Sequence, residues 1–250
     1  MDVTLLGSGE VTGVPPLFTD LEAAEAKRRR RRPSLHVETT EASLLLDVSP
    51  DVREQVWEVG IEAVDAAFLT HFHYDHAGGI DDLALVVPHL DIDVYGTETA
   101  REHFWDERTH LTDRLELATF EHGEGVTVGD LTVVPFPVEH GRPAFDTVGF
   151  AVSHGGSTVV WAPDIERFRP DMSGGEAYRN ADLLFVEGSP LVREGLFEEI
   201  DFEGEIETAN ADRTVLVHVN EYLDGPTENL RAEAAERGYE LGRDFASYRV

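Results

Sequence analysis

Three histidines and an aspartate fall within six consecutive positions, His71-Phe72-His73-Tyr74-Asp75-His76, directly after the apolar run Ala66-Ala67-Phe68-Leu69. Imidazole and carboxylate at that density have one common chemical use, which is to hold divalent metal ions where they can activate water. Three more candidates follow apolar runs later in the chain. His140 follows Val133 to Glu139, Asp164 follows Val159 to Pro163, and His218 follows Thr214 to Val217. Taken alone, His140 or His218 reads as an ordinary polar loop residue and Asp164 as a turn or helix cap. Beside the cluster they read as ligands, because a two-metal site needs partners from elsewhere in the chain. Five histidines and two aspartates suffice for two ions if one carboxylate bridges them. Such donors suit zinc, manganese or iron, and spacing does not choose among these. Asp47, after Leu44-Leu45-Leu46, is placed to hydrogen-bond a ligand histidine.

Ligands of this kind need strand ends on a rigid scaffold, so that loops converge on one edge. Val3 to Leu6 predicts a first strand, followed by Gly7-Ser8-Gly9, and Asp20 to Arg32 tolerates helix. Leu35 to Glu38 and Ser43 to Asp47 predict a hairpin. A helix is expected next, capped by Ser49, with Pro50 in its first turn and Gly60 at its end. Ala66 to Leu69 predicts the strand that delivers the cluster. Ile80 to Val87 and Glu98 to Arg108 predict helices around a strand at Asp93 to Tyr95. Strands follow at 125–128, 131–135, 149–152, 158–161, 183–186 and 214–217, and a helix at Thr227 to Arg237. Two halves, each with sheet and helix, suggest two sheets packed face to face with helices outside, in a single domain over residues 1–250.

The composition narrows the partners. No cysteine is present, which excludes disulfides and thiolate metal sites. No apolar run is long enough to span a membrane, and the N-terminus lacks a signal-peptide pattern, so a cytoplasmic location is expected. The net charge is −30, with acids spread along the whole chain and Lys27 as the single lysine. That pattern predicts a hydrated surface adapted to high salt, as in a halophile, and argues against broad nucleic-acid binding. The arginine run Arg28 to Arg32 is the local exception.

The segment His71-Phe72-His73-Tyr74-Asp75-His76 resembles the HxHxDH signature of metallo-β-lactamase-fold hydrolases, and the order His140, Asp164, His218 resembles that of their phosphodiesterase branches. The resemblance implies a four-layer αββα sandwich with metals at one edge of the sheets. Gly7-Ser8-Gly9, Gly13-Val14-Pro15, Leu46 to Gln55 and Gly79 to Leu83 are similar to the PhnP-type phosphoribosyl cyclic phosphate phosphodiesterases. Ser49 to Arg53 and His218-Val219-Asn220 also resemble PqqB-type proteins. Carried over by position, His71, His73 and His140 would hold one ion, Asp75, His76 and His218 the other, and Asp164 would bridge them. The chain departs from that branch twice. The region matching a cysteine-ligated zinc, Pro16 to Asp20, has no cysteine, so packing is expected to stabilise it. Where many members carry a histidine three residues after the last ligand, this chain has Glu221.

The expected function is dinuclear-metal-dependent hydrolysis of a small cyclic or compact phosphodiester by a metal-bridging hydroxide, with zinc or manganese as cofactor. Asp75 and His218 are the expected catalytic residues, Asp75 orienting the nucleophile. Arg30 and Arg32 are candidates for binding substrate phosphate, because guanidinium matches phosphate oxygens bidentately; the other reading of the run is a solvated helix face. The alternatives are a tRNA 3′-processing endonuclease and a PqqB-like accessory protein with little turnover. A small phosphate ester is the expected partner, and a homodimer is left open.

Overall fold

Apolar runs that alternate in a strand bury one face, and runs apolar throughout bury both. The computed structural model, which describes residues 1–20, 29–141, 146–193, 196 and 199–250, turns these runs into two sheets. The first contains β1 (Asp2–Gly7), β2 (Ser34–Glu38), β3 (Ser43–Leu46), β4 (Ala66–Phe68), β5 (Asp93–Gly96), β6 (Leu117–Thr119) and β15 (Ala246–Arg249), in the order β15-β1-β2-β3-β4-β5-β6. The second contains β8 (Leu131–Glu139), β9 (Thr147–His154), β10 (Ser157–Ala162), β11 (Arg167–Phe168), β12 (Leu183–Glu187), β13 (Thr214–Val217) and β14 (Glu240–Leu241). Its order is β11-β8-β9-β10-β12-β13-β14, with β7 (Val126–Val128) paired to β8.

The central core lies between the sheets. Val3, Leu44 and Phe68 from the first meet Phe150, Trp161 and Phe185 from the second. Each such side chain, fully buried, contributes about 1.5–3 kcal/mol. The outer face of the first sheet is covered by α1 (Val52–Val59), α3 (Ile80–Val86) and α4 (Glu98–Glu107), through Val52, Ile80, Leu83 and Phe104. The outer face of the second is covered by α6 (Phe202–Glu207) and α7 (Thr227–Glu236), through Phe202, Ile206 and Ala234. Two short helices, α2 (Tyr74–Ala77) and α5 (Ser189–Val192), sit at the strand ends. The layers are helix, sheet, sheet, helix, as the resemblance implies.

Several local expectations shift. The helix after β3 begins at Val52, and Ser49 does not cap it. Its hydroxyl donates instead to Gln55 Oε1 at 3.0 Å, while Gly60 ends the helix at φ 79°, as expected of a glycine. In the helix-tolerant stretch from Asp20 to Arg32, residues 21–28 lie outside the described residues. Of the remainder, Arg30 is not helical; it forms a bridge with Val14. In Pro16 to Asp20, where packing is expected, Leu17 and Phe18 are 85% and 103% exposed while Pro16 and Thr19 are half-buried, and a turn is closed by Thr19 bonding to the Pro16 carbonyl.

Candidate metal centre

The strand directions bring the chemistry to one edge. β3 and β4 are parallel, so Asp47 and the His71 cluster leave the first sheet on the same side. β10, β12 and β13 are parallel, and β8 is antiparallel to β9, which is antiparallel to β10. His140, Asp164, Glu187 and His218 therefore emerge together from the second sheet. The two edges are joined where Val148 N donates to the Thr70 carbonyl at 3.0 Å. After the cluster the chain must turn sharply into α3. A Cβ on Gly79 would stand 2.2 Å from the Ser49 carbonyl, so only glycine allows that close pass.

All seven residues expected as ligands stand together here, in two groups. His71, His73, His140 and Asp164 form one, and Asp75, His76, Asp164 and His218 the other, with donor atoms within 4.8 Å of one another in each. Each group draws on both sheets, and Asp164 belongs to both. His71 Nε2 and His140 Nε2 lie 2.8 and 3.2 Å from His73 Nδ1. Asp75 Oδ2 lies 3.1 Å from both His76 Nε2 and His218 Nε2. Asp164 Oδ2 is 3.6 to 3.9 Å from the Nε2 atoms of His71, His76 and His218. His140 Nδ1 approaches Asp164 Oδ1 to 2.9 Å, without hydrogen-bond alignment.

The surrounding residues decide which nitrogen of each ring faces inward. Asp47 lies 2.9 Å from His76 Nδ1, and Glu187 lies 2.8 Å from His218 Nδ1. Thr70 Oγ1 gives its proton to Asp47 Oδ1 at 2.9 Å and so accepts from His71 Nδ1 at 3.0 Å. The three outer nitrogens thus carry protons, and the three Nε2 atoms point into the site. This is the arrangement in which outer carboxylates orient metal-binding imidazoles. His76 Nε2 is buried with no hydrogen-bond partner among the described residues, which fits a cation at that position. The donor set therefore suits divalent ions.

The buried carboxylates make the centre a place that favours positive charge. Burial, reinforced by the other imidazoles, pushes His71 well below its ordinary pKa and keeps it neutral. Burial alone would raise the Asp75 and Asp164 carboxyls, but the facing histidines outweigh it and hold both well below the usual range. Burial opposes charge on His76 and His218 too; there the neighbouring carboxylates prevail and raise both. Asp47 and His218 also have left-handed backbones, at φ 63° and 59°. Such residues cost about 1–3 kcal/mol and persist only when their surroundings hold them.

The arginine expectation is overturned. The Arg30 side chain is wholly buried: Nε donates to Glu221 Oε1 at 2.7 Å and Nη1 to Ser8 Oγ and the Gly242 carbonyl at 2.7 and 2.6 Å. Arg32 pairs with Asp51 at 3.0 Å. Neither lines the cleft beside the donor groups, a space of about 470 Å³ bordered by His73, Asp75, Glu10, Ser189 and Arg193 among others. A basic run in sequence does not say which side chains face out; here Arg30, Arg31 and Arg32 are drawn to Glu221, Glu54 and Asp51. Glu221 is likewise occupied by Arg30 and Thr227. Sequence reasoning missed Glu187, although it ends a fully buried strand as Asp47 nearly does, and that pattern could have flagged it.

The fold and the convergent donors define a metallo-β-lactamase-fold protein. Residues 43–219 match the family described as beta-lactamase superfamily domain, and the chain belongs to it. Among characterised proteins it is 29% identical over 247 residues to an octanoyltransferase of Porphyromonas gingivalis, covering 92% of this chain and 48% of that one. It is 33% identical over 136 residues to a ribonuclease Z of Methanopyrus kandleri, covering 52% of this chain and 47% of that one. The alignments thus span about half the length of both relatives. Zinc-bound PqqB from Methylobacterium extorquens superposes with a TM-score of 0.81 at 22% identity, over 100% of both chains. A diphosphatase of the PhnP family superposes with a TM-score of 0.79 at 23% identity, over 100% of this chain and 97% of that one. Both share the fold that the resemblance to PhnP and PqqB proteins implies.

Proposed function

We propose that the chain is a metal-dependent hydrolase, a phosphodiesterase acting on a small cyclic or compact phosphodiester with two zinc or manganese ions. The observation that carries this reading is the sharing of Asp164 between two donor groups on one cleft. Ions bound there would supply a water of lowered pKa and Lewis-acid stabilisation of charge on oxygen. The chain's own residues do the positioning. Asp47, Glu187 and Thr70 orient the imidazoles. Asp75, buried between His76 and His218, is kept ionised and can accept and orient the proton of an attacking water, with His218 as its hydrogen-bonded partner. The PhnP-family neighbour is a diphosphatase, which supports chemistry at phosphorus.

Turnover of bis(p-nitrophenyl) phosphate and a ribose cyclic phosphate, in high salt with manganese or zinc, tests the reading. His73→Ala should lose at least about 100-fold in kcat/KM, because it removes a donor from the site. Metal-loaded protein that turns over no phosphodiester sinks the proposal. The ribonuclease Z relative supports a second reading, tRNA 3′-processing, against which the charge of −30 weighs. Cleavage of pre-tRNA with a higher kcat/KM than either small ester would select it.

A further inference from the structure

One side chain of the cleft takes no part in holding metal. Arg193, just after α5, is the only lysine or arginine that lines it among the described residues, beside the acids Glu10 and Glu187. Its place is built. Nε donates to Asp224 Oδ1 at 2.5 Å, and the Asp224 side chain is itself fully enclosed. Asp224 Oδ2 accepts from Asn220 N at 2.6 Å and lies 3.2 Å from Ser189 Oγ, which also donates to the His218 carbonyl at 2.7 Å. The guanidinium is thus tied, through one carboxylate, to the loop that carries His218. Its Nη2 is enclosed and has no acceptor among the described residues. A buried donor left without an acceptor is costly, and a ligand oxygen would remove that cost. A planar guanidinium also matches two oxygens of a phosphoryl group.

We propose that Arg193 recognises the anionic oxygen of the substrate's phosphoryl group, and so selects monoanionic phosphodiesters over neutral esters at this centre. The inference rests on the phosphodiesterase reading above. It gives Arg193 the role that the arginine run suggested for Arg30 and Arg32. A simpler role, as counter-ion to Asp224 alone, makes a different prediction.

The test compares bis(p-nitrophenyl) phosphate with its neutral methyl triester on manganese-loaded protein, with metal content measured for each variant. In Arg193→Gln, which keeps a donor for Asp224, the ratio of kcat/KM for diester to that for triester should fall at least tenfold. Arg193→Lys should recover part of the ratio. A counter-ion role slows both esters together, and an unchanged ratio overturns the proposal. If the wild type turns over neither ester, the phosphodiesterase reading fails on its own. Arg193 is then judged by calorimetry with inorganic phosphate. A Kd at least fivefold weaker in Arg193→Gln supports anion recognition, and an equal Kd overturns it.

Discussion

Asp47 accepts four hydrogen bonds, from Thr70 N and Oγ1 on one oxygen and from His76 Nδ1 and Trp161 Nε1 on the other. One buried carboxylate therefore orients a ligand ring, holds the start of the cluster and anchors the second sheet's largest core side chain. Asp47→Ala should weaken zinc binding roughly ten- to hundredfold, measured against a competing chelator, and lower the urea midpoint as well. Unchanged affinity would mean that packing alone orients His76. A second buried ring, His36 on β2, lies outside the centre, with Nε2 2.9 Å from Ser43 Oγ. Burial pushes its pKa down from 6.5 to about 4. The unfolded chain thus binds this proton more readily than the folded one, so stability is complete above pH 6.5 and declines as pH falls towards 4. The loss is about 3 kcal/mol at most. In His36→Gln, urea unfolding should show a shallower decline over that window; an unchanged slope would mean that other groups set it.

Among the secondary elements, the central buried strands were legible, because β4, β10, β12 and β13 read as largely apolar runs, and the ends of β4, β10 and β13 gave ligands. Other elements were not. β15 carries Ala246-Ser247-Tyr248-Arg249 at a sheet edge, half exposed, and forms only because β1 offers its free edge. β11 and β14, at two residues each, are too short to leave a periodic signal. The Arg30–Glu221 pair was illegible for another reason, since its partners are 191 residues apart. It fastens the segment leading into β2 to the loop after β13. Removing one partner leaves a buried charge uncompensated, so Arg30→Met should cost about 3–5 kcal/mol in urea unfolding. Adding Glu221→Met should recover most of that loss. A double mutant as unstable as the single would show that the pair's worth lies in its bonds to Ser8 and Gly242.

For the molecule as a whole, a charge of −30 on 250 residues means self-repulsion that salt must screen. The screening length is about 10 Å at 0.1 M and about 3 Å at 1 M. Raising KCl between these values should lift the thermal midpoint by roughly 10 °C. Full stability in dilute buffer would make the high-salt reading wrong. Each donor group also combines ligands from both sheets, and that division has a temporal consequence. A nascent or refolding chain offers an ion no complete nest until the two layers have already docked, so captured metal arrives too late to guide assembly. Its influence falls on the way out: an ion must be shed, or its coordination broken, before the layers part. In stopped-flow experiments, added zinc should leave the refolding rate nearly unchanged and slow unfolding markedly. The ion would then act less as a builder of this fold than as a latch on its escape.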